Sequence, residues 1–223
     1  MDDAMIKIDR ISFGYKKGEE LFKNFSLSLN MKEITVLLGR NGSGKTSLTK
    51  IILGILKPPI GEVWIKGTNI KELSLGQVGS IIGYVFQNPD HQIFGATVMD
   101  QLLWTADFLG QDKEYIGQKA NSLLKDFDIE KLVDIYPYQL SLGEKRILTL
   151  ASAMISDPDY LILDEPTSSL DPDRIRILSG YIRSIHKKGT GALIITHDKD
   201  FAMEWGDRII TIDEGKIKDD TCK

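Results

Sequence analysis

Four short stretches of the chain are apolar without alternation: Ile34–Leu38, Tyr160–Leu163, Ala192–Thr196 and Arg208–Ile212. A strand with no polar face has no side for solvent, so these runs predict a parallel sheet covered by helices on both faces. Helical periodicity fills the spaces between them. Lys45–Leu56 follows the first run, and Asp173–Lys187 sets Ile175, Leu178, Ile182 and Ile185 on one face. Asp171-Pro172 opens the latter with a capping residue and a first-turn proline. Strand alternating with helix predicts an α/β fold.

Two regions interrupt the rhythm. Within residues 1–33, Met5–Phe13 and Phe25–Leu29 alternate and are separated by the polar turn Lys16-Lys17-Gly18-Glu19-Glu20, the pattern of an antiparallel hairpin. Residues 88–143 read as helical, with Val98–Leu109 and Glu114–Phe127 as the helices, inserted between two halves of the sheet domain.

Composition narrows the possible functions. The 223 residues carry 28 Lys+Arg against 32 Asp+Glu, a net charge of −4, and mean hydropathy is −0.14. That balance supplies no basic face for sequence-independent nucleic-acid binding, so no nucleic-acid partner is expected. Cys222 is the one cysteine, which excludes an internal disulfide and a cysteine metal cluster; His91, His186 and His197 lack ligand spacing. No apolar run reaches the roughly 18 residues that span a bilayer, and no basic region leads into an apolar stretch at the N-terminus. The expectation is a cytosolic protein, or one held at a membrane by a partner.

The strongest chemical signal is Gly39-Arg40-Asn41-Gly42-Ser43-Gly44-Lys45-Thr46, placed directly after an apolar strand and opening a helix. It matches the phosphate-binding pattern G-x-x-x-x-G-K-[ST]. Glycines let backbone N–H groups turn inward on phosphate oxygens, and the helix N-terminus adds positive potential there. Lys45 would reach the β- and γ-phosphates, and the Thr46 hydroxyl would ligate Mg²⁺. The second signal is Leu161-Ile162-Leu163-Asp164-Glu165, an apolar strand ending in two acids. Beside a phosphate loop, Asp164 can hold Mg²⁺ and Glu165 can orient or deprotonate an attacking water.

Between these elements lies Leu140-Ser141-Leu142-Gly143-Glu144. At this point the chain resembles an ATP-binding cassette (ABC) ATPase over nearly its whole length. The family signature usually reads Leu-Ser-Gly-Gly-Gln; this chain has Leu142 at the third place and Glu144 at the fifth. Ile147 stands where an arginine is usual, with Lys145 and Arg146 beside it. Ser141 with Glu144 is also a capping box, so the pentapeptide reads both as a helix cap and as an anion site.

The resemblance implies a P-loop NTPase (RecA-like) core of residues 1–87 and 144–223 with a mainly parallel sheet. It adds an N-terminal antiparallel β subdomain and a helical subdomain over 88–143. It further implies that Tyr15 stacks on adenine, with Phe13 as the competing aromatic. Gly39, Asn41, Gly42, Ser43, Gly44, Lys45, Thr46 and Ser47 would hold ATP. Thr46, Gln87 and Asp164 would hold Mg²⁺. Glu165, His197 and Gln87 would be catalytic. Ser141, Gly143, Glu144 and Asp171 would complete the nucleotide site of a second ABC ATPase subunit, identical or related.

Gln87-Asn-Pro-Asp-His-Gln-Ile-Phe94, followed by Thr97-Val98, resembles the ATPases of energy-coupling factor transporters, which import vitamins and ions such as cobalt and nickel. This implies membrane-embedded transporter subunits as partners and a place at the cytoplasmic face of the membrane. Ile93 and Phe94, apolar in an otherwise polar loop, are either a docking pair for such a partner or anchors of the insertion against the sheet domain. The alternative is a soluble, non-transport ABC ATPase, for example in cluster assembly. Many energy-coupling factor ATPases continue past the point where this chain ends, at Lys223.

Overall fold

A computed structural model describes residues 4–16, 18–110 and 112–223. Lys17 of the expected hairpin turn lies outside the described residues, as does the start of the chain. The strands are β1 (Ala4–Phe13), β2 (Phe22–Asn30), β3 (Ile34–Leu38), β4 (Ile60–Ile65), β5 (Thr68–Asn69), β6 (Ile82–Val85), β7 (Tyr160–Asp164), β8 (Gly191–Thr196), β9 (Arg208–Asp213) and β10 (Lys216–Cys222). The helices are α1 (Lys45–Ile52), α2 (Leu75–Ile81), α3 (Val98–Leu109), α4 (Lys113–Asp126), α5 (Leu142–Met154), α6 (Pro172–Lys187) and α7 (Lys199–Trp205).

A six-stranded sheet runs in the order β10-β9-β3-β8-β7-β6, parallel throughout except for the antiparallel β9–β10 edge. Its apolar runs serve two cores, because successive residues of a strand face opposite sides. Val36, Leu161, Leu163 and Ile194 face the core shared with α3 to α7. Leu37, Ile162, Leu193 and Ile195 face the core shared with α1 and the second sheet. That second sheet, β2-β1-β4-β5, is antiparallel.

Two sequence expectations are corrected in extent. Helix α1 ends at Ile52 rather than Leu56, because Gly54 takes a φ of 73° and turns the chain out of the helix. The expected hairpin gains a third and fourth strand, β4 and β5, whose half-exposed pattern carries little alternation.

Candidate functional site

The phosphate loop leaves the C-terminal end of β3 and turns into α1. Gly42 has a φ of 81° and Gly44 a φ of 109°, both in the left-handed region that glycine enters freely. A Cβ at Gly44 would also lie 2.9 Å from the Phe22 ring, and one at Gly39 would lie 2.4 Å from the Ile212 carbonyl oxygen. The Lys45 ammonium folds back on its own loop, donating to the carbonyls of Gly39 at 2.6 Å and Arg40 at 3.0 Å. Burial lowers its pKa, and the nearby Glu165 and Asp164 oppose that shift. Ser43 Oγ is buried with no hydrogen-bond partner.

Across the loop, Asp164 ends β7 with its carboxylate 3.5 Å from Thr46 Oγ1. Burial, reinforced by the adjacent Glu165 charge, pushes the Asp164 pKa up to about 6. A hydroxyl converging on a carboxylate that is itself costly to keep charged suits a hard divalent cation such as Mg²⁺. Glu165 follows with a φ of 51°, unusual for a residue other than glycine, and its N–H donates to Ile195 on β8 at 2.8 Å. Its two carboxylate oxygens are both engaged. One lies 2.8 Å from His197 Nδ1, and the other accepts from Thr196 Oγ1 at 3.3 Å. The His197 side chain is 79% exposed, and hydrogen bonding to Glu165 raises its pKa above the ordinary 6.5.

A cleft of about 610 Å³ is lined by Tyr15, Asn41, Gly42, Gly44, Lys45, Thr46, Ser47, Gln87, Asp164 and Glu165, whereas Gly39, Ser43 and His197 are not among its lining residues. Asn41, Gly42, residues 44–47, Gln87 and the 164–165 pair, far apart in sequence, therefore meet at one cleft. Tyr15 rather than Phe13 faces this space. Phe13 is buried and packs edge-on against the exposed Tyr15 ring, whose hydroxyl lies 2.9 Å from Ser47 Oγ. Glu19, Glu20 and Leu21 also line the cleft and carry no motif that would have marked them in sequence.

Ser141, Gly143, Glu144 and Asp171 do not line this cleft. They form a second cluster at the joined N-termini of α5 and α6. Ser141 N–H and Oγ donate to the Glu144 carboxylate at 2.8 and 2.7 Å, and Ser141 Oγ accepts from Glu144 N–H at 3.3 Å, completing a capping box. These bonds to Ser141 hold the Glu144 pKa below its usual value. Arg174 of α6 reaches Glu144 at 3.4 Å, while Asp171 caps α6 by accepting from Arg174 N–H at 2.9 Å. A Cβ at Gly143 would meet the Arg174 guanidinium at 2.8 Å, which a turn of that flexible side chain relieves, and the Ser169 carbonyl oxygen at 3.1 Å, a tight contact.

The docking pair is corrected. Ile93 is only 4% exposed and belongs to the interior, whereas Phe94 is 54% exposed and packs edge-on to Trp104, ring centroids 4.4 Å apart. The 88–97 segment is polar in composition, yet Gln101 bonds both Phe94 N–H and Gly95 N–H at 2.9 Å and folds it inward. Sequence reasoning also passed over Arg146. It is a charge on the otherwise apolar stripe of α5, a pattern that signals a required buried partner.

A family model described as ABC transporter matches residues 22–168. A putative ABC transporter ATP-binding protein of Pyrococcus furiosus is 37% identical over 214 residues, covering 96% of this chain and 82% of its own length. A similarly named protein of Bacillus cereus is 35% identical over 219 residues, but this chain spans only 38% of it. Among solved structures, cbiO1 of Clostridium perfringens, described as part of the ABC transporter complex cbiONQ, aligns with a TM-score of 0.87 and 30% identity. That alignment covers 99% of this chain and 89% of cbiO1. An ATP-binding cassette solved as a dimer in a post-hydrolysis state with ADP and Pi aligns with a TM-score of 0.88 and 26% identity, covering 98% of both chains.

Proposed function

This chain belongs to the ABC transporter family and is an ATPase of that family, and we propose that it is the motor subunit of a membrane importer of the energy-coupling factor type. The proposed cargo is a vitamin or a transition-metal ion. The observation that carries the reading is the one cleft lined by phosphate-loop residues, Asp164, Glu165 and Gln87. The likeness to cbiO1 supports the transporter type. Among the described residues no helix is long and apolar enough to cross a membrane, so the proposed transport path lies in partner subunits. The chain would work at the cytoplasmic face of the membrane.

In this reading Lys45 leaves the Gly39 and Arg40 carbonyls and places its charge on the β- and γ-phosphates of ATP. Mg²⁺, held by Thr46, Asp164 and Gln87, would supply neutralisation of phosphate charge. Water attacks the γ-phosphorus while the bond to the β-phosphate oxygen breaks, and Glu165 accepts the water's proton. The strained Glu165 backbone and its bonds to Thr196 and His197 preset the carboxylate for that task. Tyr15 stacks on the base. The Ser141–Glu144 helix terminus and Asp171, outside the cleft, would close the site of a second ABC ATPase subunit. Its N–H groups face an anion with the helix dipole behind them.

The test is to tag the chain in its native host, purify it in detergent and identify the integral membrane proteins held in stoichiometric amount. The complex is then reconstituted in vesicles with cobalt, nickel or a labelled B vitamin. ATP-dependent uptake of one of them is expected. Mg-ATP turnover with no membrane partner and no uptake would place the chain among the non-transport ATPases.

A further inference from the structure

We propose that Arg146 is a positioning residue for Gln87: its buried guanidinium pins the backbone of Gln87 to the helix that carries Ser141 and Glu144. Arg146 lies on α5 and is 2% exposed. Its Nη1 donates to the Phe86 carbonyl at 2.6 Å and its Nη2 to the Gln87 carbonyl. Two N–H groups of one planar fork thus hold two consecutive peptide oxygens, an arrangement that a flexible ammonium does not reproduce. The third nitrogen, Nε, is buried with no hydrogen-bond partner. Leaving such a donor unsatisfied costs free energy, and an apolar side chain at this point of an apolar stripe would avoid it. The fork itself therefore has a use.

The surroundings point the same way. The preceding residue, Lys145, pairs with Asp90 at 2.9 Å, so a second pin from α5 enters the same segment three residues beyond Gln87. Gln92 accepts from Phe86 N–H at 3.2 Å and donates to the Tyr84 carbonyl at 2.8 Å. Tyr138 donates to the Ile93 carbonyl at 3.0 Å. The segment 86–95 is thereby a hydrogen-bonded body fused to α5. Gln87 lines the cleft, while its own carbonyl is gripped by the guanidinium. Any shift of Gln87 on meeting the nucleotide must move α5, and with it the capped terminus at Ser141, which carries the second cluster. Arg146 joins the two clusters by gripping the backbone of Phe86 and Gln87.

The inference rests on the reading of Gln87 as a nucleotide-sensing residue and is independent of the transport reading. It is tested by a double-mutant cycle in Mg-ATP turnover of the full chain, with Mg-ADP affinity measured by calorimetry as a control on the phosphate loop. R146M should lower kcat by about 30- to 100-fold, the scale of misplacing a reacting-site group by about 1 Å, and leave the Mg-ADP Kd within about threefold. R146K should lie between, with one carbonyl satisfied. The deciding readout is Q87A/R146M. A residue acting through Gln87 adds nothing once Gln87 is gone, so the double variant should turn over as Q87A does alone. Multiplying losses would overturn the proposal, and so would R146M with kcat within threefold of the unaltered protein. A Q87A variant of full activity shows instead that the reading of Gln87 is wrong, and the proposal goes with it. If R146M does not fold, R146K with Q87A carries the same comparison.

Discussion

Separate serine substitutions at the neighbours Ile93 and Phe94 should have opposite consequences. Ile93 is 4% exposed, so Ile93→Ser removes nearly a whole buried side chain and leaves a hydroxyl in its place. Large-to-small changes of this kind cost about 2–5 kcal/mol, and an unpaired buried hydroxyl adds about 1–3 kcal/mol. A loss of about 4 kcal/mol in a chain of this size lowers Tm by roughly 8–16 °C. Phe94 is 54% exposed. Under half of a transfer free energy of about 2–3 kcal/mol is at stake there, plus about 0.5 kcal/mol for the edge contact with Trp104. Phe94→Ser should therefore cost about 1.5 kcal/mol and lower Tm by about 3–6 °C. Circular dichroism melts of the two variants without nucleotide provide the comparison. Phe94→Ser should keep the isolated ATPase activity and lose the membrane-embedded partner on purification, which makes Phe94, not the pair, the docking contact. Equal Tm losses for the two variants would refute the burial argument. Normal transport by Phe94→Ser would dispose of the docking role.

The remaining expectations concern the cleft. Lys45→Ala should weaken Mg-ATP binding by at least about tenfold, since charge-assisted hydrogen bonds contribute about 1.5–3 kcal/mol; calorimetry giving an unchanged Kd would count against the phosphate-loop assignment. Glu165→Gln should retain Mg-ATP binding while turnover falls by about 10²–10⁴-fold, and the ATP-bound dimer should accumulate in gel filtration; a monomer under those conditions would sink the shared-site model. His197 should titrate above 6.5 in NMR because Glu165 stabilises its proton, and Glu165→Gln should move it down. The folded-state pKa is the raised one, so the pair contributes its stabilisation fully below pH 6.5 and loses it as pH rises through the folded value. An unmoved His197 resonance in the variant would show that Glu165 is not the cause.

The sequence by itself determined the parts whose physics is local. Fully apolar runs demand a sheet covered on both faces, and β3, β7, β8 and β9 lie where those runs stand. The loop from Gly39 to Thr46 was legible because positive φ at Gly42 and Gly44 and close packing at Gly39 require glycine whatever the rest of the chain does. Ser141 with Glu144 was legible as a cap because a capping box is complete within four residues. Only the tertiary structure decided what depends on partners distant in sequence. Whether Phe13 or Tyr15 faces the cleft turned on which ring the two sheets enclose. Ile93 went inward because Gln101 and Tyr138, 8 and 45 residues away, bind the backbone around it. Arg146 stands in sequence as a charge on an apolar helix stripe, which signals a buried partner without saying which. Its role exists only because folding brings the carbonyls of Phe86 and Gln87, about 60 positions earlier, within reach of a guanidinium that burial has stripped of water.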